Sequence, residues 1–132
     1  MISIHRVDYH QKSTLRNLLE LYNYDFSEFE PDDVNDNGLY EYKYLDHYWT
    51  EAGRHPFFIR VEGKLAGLAL VRETDTQDNQ KVFTMADFFV MKKYRHRGVG
   101  RTAANELFTT FRGTWKVAQI EENKPAQLFG ER

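Results

Sequence analysis

The stretch Asp87-Phe88-Phe89-Val90-Met91-Lys92-Lys93-Tyr94-Arg95-His96-Arg97-Gly98-Val99-Gly100-Arg101-Thr102 decides how this chain is read. Its first residues close an apolar, aromatic run from Val82 to Met91 that is long enough for a strand. Its last residues lead directly into a helical stripe, Ala103, Ala104, Leu107, Phe108 and Phe111, which Gly113 ends. Between strand and helix, Gly98 and Gly100 allow a tight turn whose N–H groups point inward, with no Cβ to hold a ligand away. The first turn of the helix has unpaired N–H groups at the positive end of its dipole, and Arg95, Arg97 and Arg101 add charge around it. The junction therefore predicts a site for a phosphate-bearing anion. The plain alternative is a strand-to-helix turn with solvated basic residues.

The charge pattern sharpens this. From Lys92 to Arg101 there are five bases and no acid, whereas Glu20 to Glu51 holds ten of the 20 acids against one base, Lys43. The net charge of −2 averages a negative first third with a short positive knot. A nucleic-acid binder spreads its basic surface more widely, so a small polyanion suits the knot better and no nucleic-acid partner is expected.

Working outward, Glu62-Gly63-Lys64 joins two apolar runs, His55 to Val61 and Leu65 to Thr74, as an antiparallel hairpin to which Val82–Met91 adds a third strand. Ile2 and Ile4 share one face of a first strand, Ile2–Val7. Leu15, Leu18, Leu19 and Tyr22 form a helical stripe with Ser13 as its expected cap. Asp25–Gly38 reads as a loop, Leu39–Trp49 as a short second helix, and Thr114–Ile120 as a last strand. The order strand, helix, short helix, three-strand meander, helix, strand predicts a mixed α/β (α+β) fold, a largely antiparallel twisted sheet flanked by helices.

At 132 residues and 15.7 kDa the chain is one domain, residues 1–132. The absence of cysteine excludes disulfide frameworks, thiolate metal sites and cysteine nucleophiles. Apolar runs such as Leu65–Val71 fall far short of the ~20 residues that span a bilayer, and the opening residues do not form a signal peptide. No membrane partner and a cytoplasmic location are expected. The five histidines show no i, i+4 pair, so no metal is expected, and no serine stands in a nucleophile elbow.

Gly98-Val99-Gly100-Arg101-Thr102-Ala103 also fits the G-x-G-x-x-A of a dinucleotide site, with Glu121 or Glu122 ~20 residues on. That fold sets its fingerprint after the first strand of a parallel sheet and needs several further βα units, for which too little chain follows. A P-loop is excluded because no Gly-Lys-Ser/Thr follows.

Arg95-x-x-Gly98-x-Gly100, behind the strand Asp87–Val90 and ahead of an amphipathic helix, resembles the acetyl-CoA site of the GNAT superfamily of N-acetyltransferases. The order of elements resembles that family too, as does Asn123-Lys124-Pro125-Ala126-Gln127-Leu128-Phe129 at the place of its late helix. His96 stands where the family usually has its first glycine. The resemblance implies acetyl-CoA as co-substrate and a GNAT-like sheet shortened at its C-terminal end. By that resemblance, the backbone from Arg95, His96 and Arg97 through Gly98, Val99, Gly100, Arg101 and Thr102 surrounds the pyrophosphate, its N–H groups from Arg97 to Thr102 holding it. Phe88, Phe89 and Val90 pair with the pantetheine arm, near Asn123, and the Val90 N–H serves as oxyanion donor. The family often uses a late tyrosine to protonate the departing thiolate; no tyrosine follows Tyr94, leaving that role vacant or to water. An exposed edge near the late strand is expected, covered by a homodimer partner or a swapped segment.

Asp87, an ionisable side chain in an apolar strand, is the candidate base, since burial raises a carboxyl pKa; otherwise it is a strand Asp that faces solvent or bonds a turn. Six of the eight tyrosines (22, 24, 40, 42, 44, 48) fall among the ten acids, and tyrosine faces with carboxylates hold organic cations. Tyr24, Asp25, Glu28 and Glu30 are accordingly the candidate acceptor-binding residues for a cationic small-molecule amine, against a reading of the segment as solvated acidic surface. An N-acetyltransferase acting on a primary amine is the expected function, and a non-catalytic CoA-binding sensor or interaction module on the same fold is the alternative.

Overall fold

The apolar runs on either side of Glu62-Gly63 become the hairpin of β2 (Arg54–Val61) and β3 (Lys64–Gln77), paired antiparallel from Val61↔Lys64 to Arg54↔Arg72. Both loop residues have positive φ, 50° at Glu62 and 79° at Gly63, the geometry whose twist matches the flanking strands. In the computed structural model, which describes residues 1–77 and 80–117, β4 (Gln80–Val90) extends this meander. β1 (Ile2–Arg6) pairs antiparallel with β2, and β5 (Thr114–Val117) runs parallel to β4. The sheet order is β1-β2-β3-β4-β5.

Helices cover both faces. α1 (Lys12–Asp25) buries Leu15, Leu18 and Leu19 against Phe58, Leu68, Leu70 and Phe89, where the short α2 (His47–Thr50) adds Tyr48. α3 (Val99–Thr110) buries Ala103, Ala104 and Leu107 on the opposite face, among Phe57, Ile59, Ala69, Val71, Phe83 and Met85. Among the described residues no helix is long and apolar enough to cross a membrane.

One irregularity positions the site. β3 pairs Leu70 with Asp87 but Val71 with Met85, so Ala86 is an extra residue on β4. Such a bulge breaks the alternation of side chains. Ala86 and Asp87 both face the α1 side, while Met85 and Phe88 face α3.

Three expectations are corrected. Ser13 does not cap α1: the helix starts at Lys12, continuing a 3-10 turn over Tyr9–Gln11 in which the Asp8 N–H donates to the Gln11 side chain at 3.1 Å. Leu39–Trp49 is not a helix; only His47–Thr50 is. Its first part is held by α1 instead, because the Tyr40 N–H donates to both Glu20 carboxylate oxygens at 3.1 Å and the Arg16 guanidinium donates to the Tyr40 carbonyl. Finally, β3 runs beyond Thr74 to Gln77. The end of the expected last strand after Val117, Asn123 and the late helix around it lie outside the described residues.

Candidate active site

Between β4 and α3 the chain makes a 3-10 turn over Lys92–Tyr94 and then two left-handed residues, His96 (φ 65°) and Gly98 (φ 75°). Gly98 is the N-cap of α3, and a Cβ built on it would meet nothing within 4 Å, so that side of the turn is open. The first helical hydrogen bond runs from the Thr102 N–H to the Gly98 carbonyl at 3.0 Å. The N–H groups of Val99, Gly100 and Arg101 precede it and project from the helix start, where the dipole is positive. The Thr102 N–H, expected among the pyrophosphate donors, is thus taken up within the helix. Arg97 and Arg101 are exposed beside it, and no acidic residue lies in the first turn. Open backbone, N–H donors that no described residue takes up, and two exposed cations, Arg97 lying over the Tyr94 ring at 5.7 Å, fit a pyrophosphate.

Arg95, of the same sequence motif, is differently placed. Its Nε donates to the Val90 carbonyl at 2.7 Å and its terminal nitrogen to Asp25 Oδ2 at 2.6 Å, in a pair that is mostly out of solvent. It ties the end of α1 to the end of β4. Tyr94 is buried with Val99 and Ala103, as packing.

The outer edge of β4 leads from the cradle to Asp87. β5 pairs with β4 only from Val82↔Thr114 to Met85↔Val117. Among the described residues no strand lies beside Ala86–Val90 on that edge. The Met91 N–H donates toward β3, to the Ala66 carbonyl at 2.8 Å. Backbone groups alternate sides along a strand, so the Val90 and Phe88 N–H groups face the outer edge. The side chains of Phe88 and Val90 pack under the cradle, 3.5 and 3.7 Å from where a Gly100 Cβ would stand.

On the α1 face, a cavity of about 860 Å³ opens between the sheet and the 26–46 loop. Asp87 forms part of its floor and accepts hydrogen bonds from the Tyr42 and Tyr22 hydroxyls. Burial raises the Asp87 pKa above the usual carboxylate range, while the two tyrosine donors and the nearby Arg72 pull it partly back. Burial also raises the pKa of Tyr22 and Tyr42, with the Asp87 charge adding to it, and pushes Tyr48 up to about 12. The tyrosines therefore stay protonated as donors, and Asp87 is the side chain of this floor suited to accept a proton.

Of the acidic residues singled out in sequence, Glu30 lines this cavity. Asp25 is committed to Arg95, with Lys92 3.8 Å away, Tyr24 is exposed, and Glu28 is exposed outside the lining. Sequence reasoning missed Tyr22, Tyr42 and Tyr48 as individuals, although the clustering of tyrosines among acids pointed to the segment. It missed Arg54 and Arg72 altogether, which no motif marks. Among the described residues no group of three or more His, Cys, Asp and Glu is placed to hold a metal.

The sequence profile of the acetyltransferase (GNAT) family matches residues 15–132. No curated protein matches the chain in sequence. Among solved structures, a ribosomal-protein-alanine N-acetyltransferase from Brucella melitensis biovar Abortus 2308 aligns with a TM-score of 0.75 at 12% identity, over 99% of this chain and 88% of that one. An aminoglycoside acetyltransferase from an uncultured soil metagenomic sample, in complex with sisomicin, aligns at 0.71 and 17%, over 98% and 85%. A predicted acetyltransferase with acetyl-CoA from Clostridium acetobutylicum aligns at 0.71 and 12%, over 97% and 87%. At these identities the likeness is one of fold.

Proposed function

Because the chain belongs to the acetyltransferase (GNAT) family, we propose that it passes the acetyl group of acetyl-CoA directly to a primary amine held in the Asp87 cavity. The observation that carries this reading is the arrangement along β4: the carboxylate at the cavity floor, then the outer backbone edge beyond the last β5 pairing, then the cradle at the start of α3. One strand thereby aligns an acceptor site with a site for a long polyanionic co-substrate.

The cradle N–H groups of Val99, Gly100 and Arg101, with Arg97, take the pyrophosphate, and the outer edge at Phe88 and Val90 takes the amide-bearing arm. Acetyl-CoA supplies the activated thioester. Asp87 in its ionised form removes a proton from the acceptor ammonium, freeing the nitrogen lone pair. As the C–N bond forms and the C–S bond breaks, the Val90 N–H faces the carbonyl oxygen on which negative charge develops. The first proton passes from Asp87 to water; the second, shed by the nitrogen once it is bonded to the acetyl carbon, leaves to solvent, from which the departing thiolate takes one up, giving the amide and free CoA thiol. Most of the acceleration comes from positioning two substrates and from that proton transfer. Tyr22 and Tyr42 hold the carboxylate in place, and Glu30 adds negative charge to the acceptor side.

A thermal-shift titration with acetyl-CoA, followed by a free-thiol assay over a panel of amines, tests the reading. A ligand bound by the native state raises the melting temperature, and a concentration of 100 Kd adds about 2.7 kcal/mol. A shift with amine-dependent CoA release is the expected result. No shift at millimolar acetyl-CoA would sink the reading, and a shift without turnover on any amine would favour a CoA-binding protein that performs no transfer.

A further inference from the structure

Arg54 on β2 and Arg72 on β3 stand directly opposite one another in the sheet, and both line the cavity whose floor holds Asp87. Like charges directly opposite across a strand pair repel, so this arrangement costs stability. Arg54 is braced within the fold: its Nε lies 3.5 Å from Glu51 and its guanidinium sits over the Tyr48 ring at 5.6 Å. Arg72 has no such brace. Among the described residues its side chain makes no ion pair or hydrogen bond, although it is close enough to influence both Asp87 and Tyr48 electrostatically.

The register places this pair relative to the reacting end of the cavity. Leu70 is the residue opposite Asp87, and Arg72 follows it by two positions on the same face of β3. At ~3.3 Å per residue, Arg72 is rooted about 7 Å along the strand from the level of Asp87. Asp87 and the arginine pair thus share one face of the sheet and one cavity. The loop wall is of the opposite sign on balance, with Glu30, Asp32, Asp33 and Glu41 against Lys43. A polycation would leave the two arginines facing one of its own charges. A molecule with one ammonium and one anionic group would satisfy both ends, and guanidinium is the side chain best suited to a planar or bidentate grip on a carboxylate or phosphate.

We infer that the acceptor is an amine that also carries an anionic group, a carboxylate or a phosphate monoester, which Arg54 and Arg72 hold while its ammonium faces Asp87. This narrows the cationic acceptor expected from the sequence to a zwitterionic one, and it rests on the acetyl-transfer reading of the cavity. The grip is non-covalent, so it adds no step to the transfer.

Matched pairs of amines test it in two ways. Free-thiol assays at saturating acetyl-CoA compare α-, β- and γ-amino acids with their carboxamides, and glucosamine 6-phosphate with glucosamine. The anionic member of at least one pair should show a kcat/KM at least tenfold above its neutral partner, and which pairs respond distinguishes carboxylate from phosphate. Arg72→Gln should lower the anionic member's kcat/KM at least tenfold more than the neutral member's, mainly through KM, and Arg72→Lys should restore part of the difference. A wild-type preference for neutral amines or for a polycation such as spermidine overturns the inference, as does an Arg72→Gln variant that keeps the anionic preference. Thermal shifts with the same compounds read the arginine pair without chemistry. Stabilisation by anionic amines that Arg72→Gln abolishes supports the inference even if no CoA is released, a result that would count against acetyl transfer alone. No stabilisation together with no kinetic preference overturns it.

Discussion

The cradle at the start of α3 and the cavity around Asp87 lie at the two ends of one strand segment, yet they are built in opposite ways. The cradle is contiguous and made of backbone: seven residues from Arg95 to Arg101 bend so that the N–H groups of the first helical turn face outward. The cavity is dispersed and made of side chains, drawing Tyr22 from α1, Tyr42 from the loop, Arg54 and Arg72 from the hairpin and Asp87 from a bulge. A backbone site tolerates exchange of its side chains but not of its glycine geometry. A side-chain site fails at a single substitution and is retuned by its neighbours. Variants that fail in only one of the two regions test that division.

The largest effect is expected at the cavity. Asp87→Asn should lower kcat/KM for the amine by about 10²–10⁴-fold while leaving acetyl-CoA binding intact, read by free-thiol kinetics and calorimetry. Because burial raises the folded pKa of Asp87 above its unfolded value, stability falls as pH rises through that interval. Above that interval the buried ionised carboxylate is a net burden, so there the same variant should melt at a higher temperature than the wild type. A melting temperature below wild type would show that the carboxylate is instead a stabilising strut.

At the cradle, Gly100→Leu would push a side chain onto Phe88 and Val90, whose atoms lie within ordinary contact of a Cβ there. Acetyl-CoA affinity should fall at least tenfold, about 1.4 kcal/mol. Unchanged affinity would remove the cradle from the co-substrate site.

Asp25 links the regions rather than belonging to either. Asp25→Asn removes a charged partner from Arg95, a loss of about 1.5–3 kcal/mol in unfolding experiments for a hydrogen bond between charged groups. Because the pair joins α1 to β4, both substrates should bind more weakly, a pattern that neither single-region variant shows.

Subtler changes follow at Tyr42 and His96. Tyr42→Phe removes a donor that lowers the Asp87 pKa, so the acidic limb of the kcat/KM profile should move to higher pH. A limb that stays in place would separate the titrating group from Asp87. His96 carries a left-handed backbone (φ 65°) that costs a side-chain-bearing residue about 1–2 kcal/mol, and glycine repays about 0.5–1 kcal/mol of this through its greater chain entropy. His96→Gly should therefore raise stability by no more than about 1.5 kcal/mol in thermal unfolding, with acetyl-CoA binding preserved.

The same contrast explains what could be read from the chain itself. The meander, both long helices and the glycine turn were legible because each is encoded over consecutive residues: alternation across Glu62-Gly63, the Leu15–Leu18–Leu19 stripe, and the glycines between strand and helix. Leu39–Trp49 was not, because the Tyr40 backbone is satisfied by Arg16 and Glu20 more than 19 positions away in the chain, a competition that local helical spacing does not reveal. Arg95 looked like a co-substrate ligand for the same reason that Asp25 looked like an acceptor ligand: their mutual ion pair, 70 positions apart, is a tertiary fact. Asp87 was visible as a charge in an apolar strand, but the bulge that turns it and Ala86 to one face, and the opposed arginines nearby, appear only once strands are in register.

Direct transfer between two sites joined by β4 is the centre of this account. Initial velocities measured while acetyl-CoA and the best amine of the panel are varied together test it most directly. Lines that intersect in the double-reciprocal plot, with Asp87→Asn lowering kcat and leaving acetyl-CoA affinity unchanged, are the predicted result. Parallel lines would mean that the acetyl group rests on the protein between two half-reactions, and would contradict it.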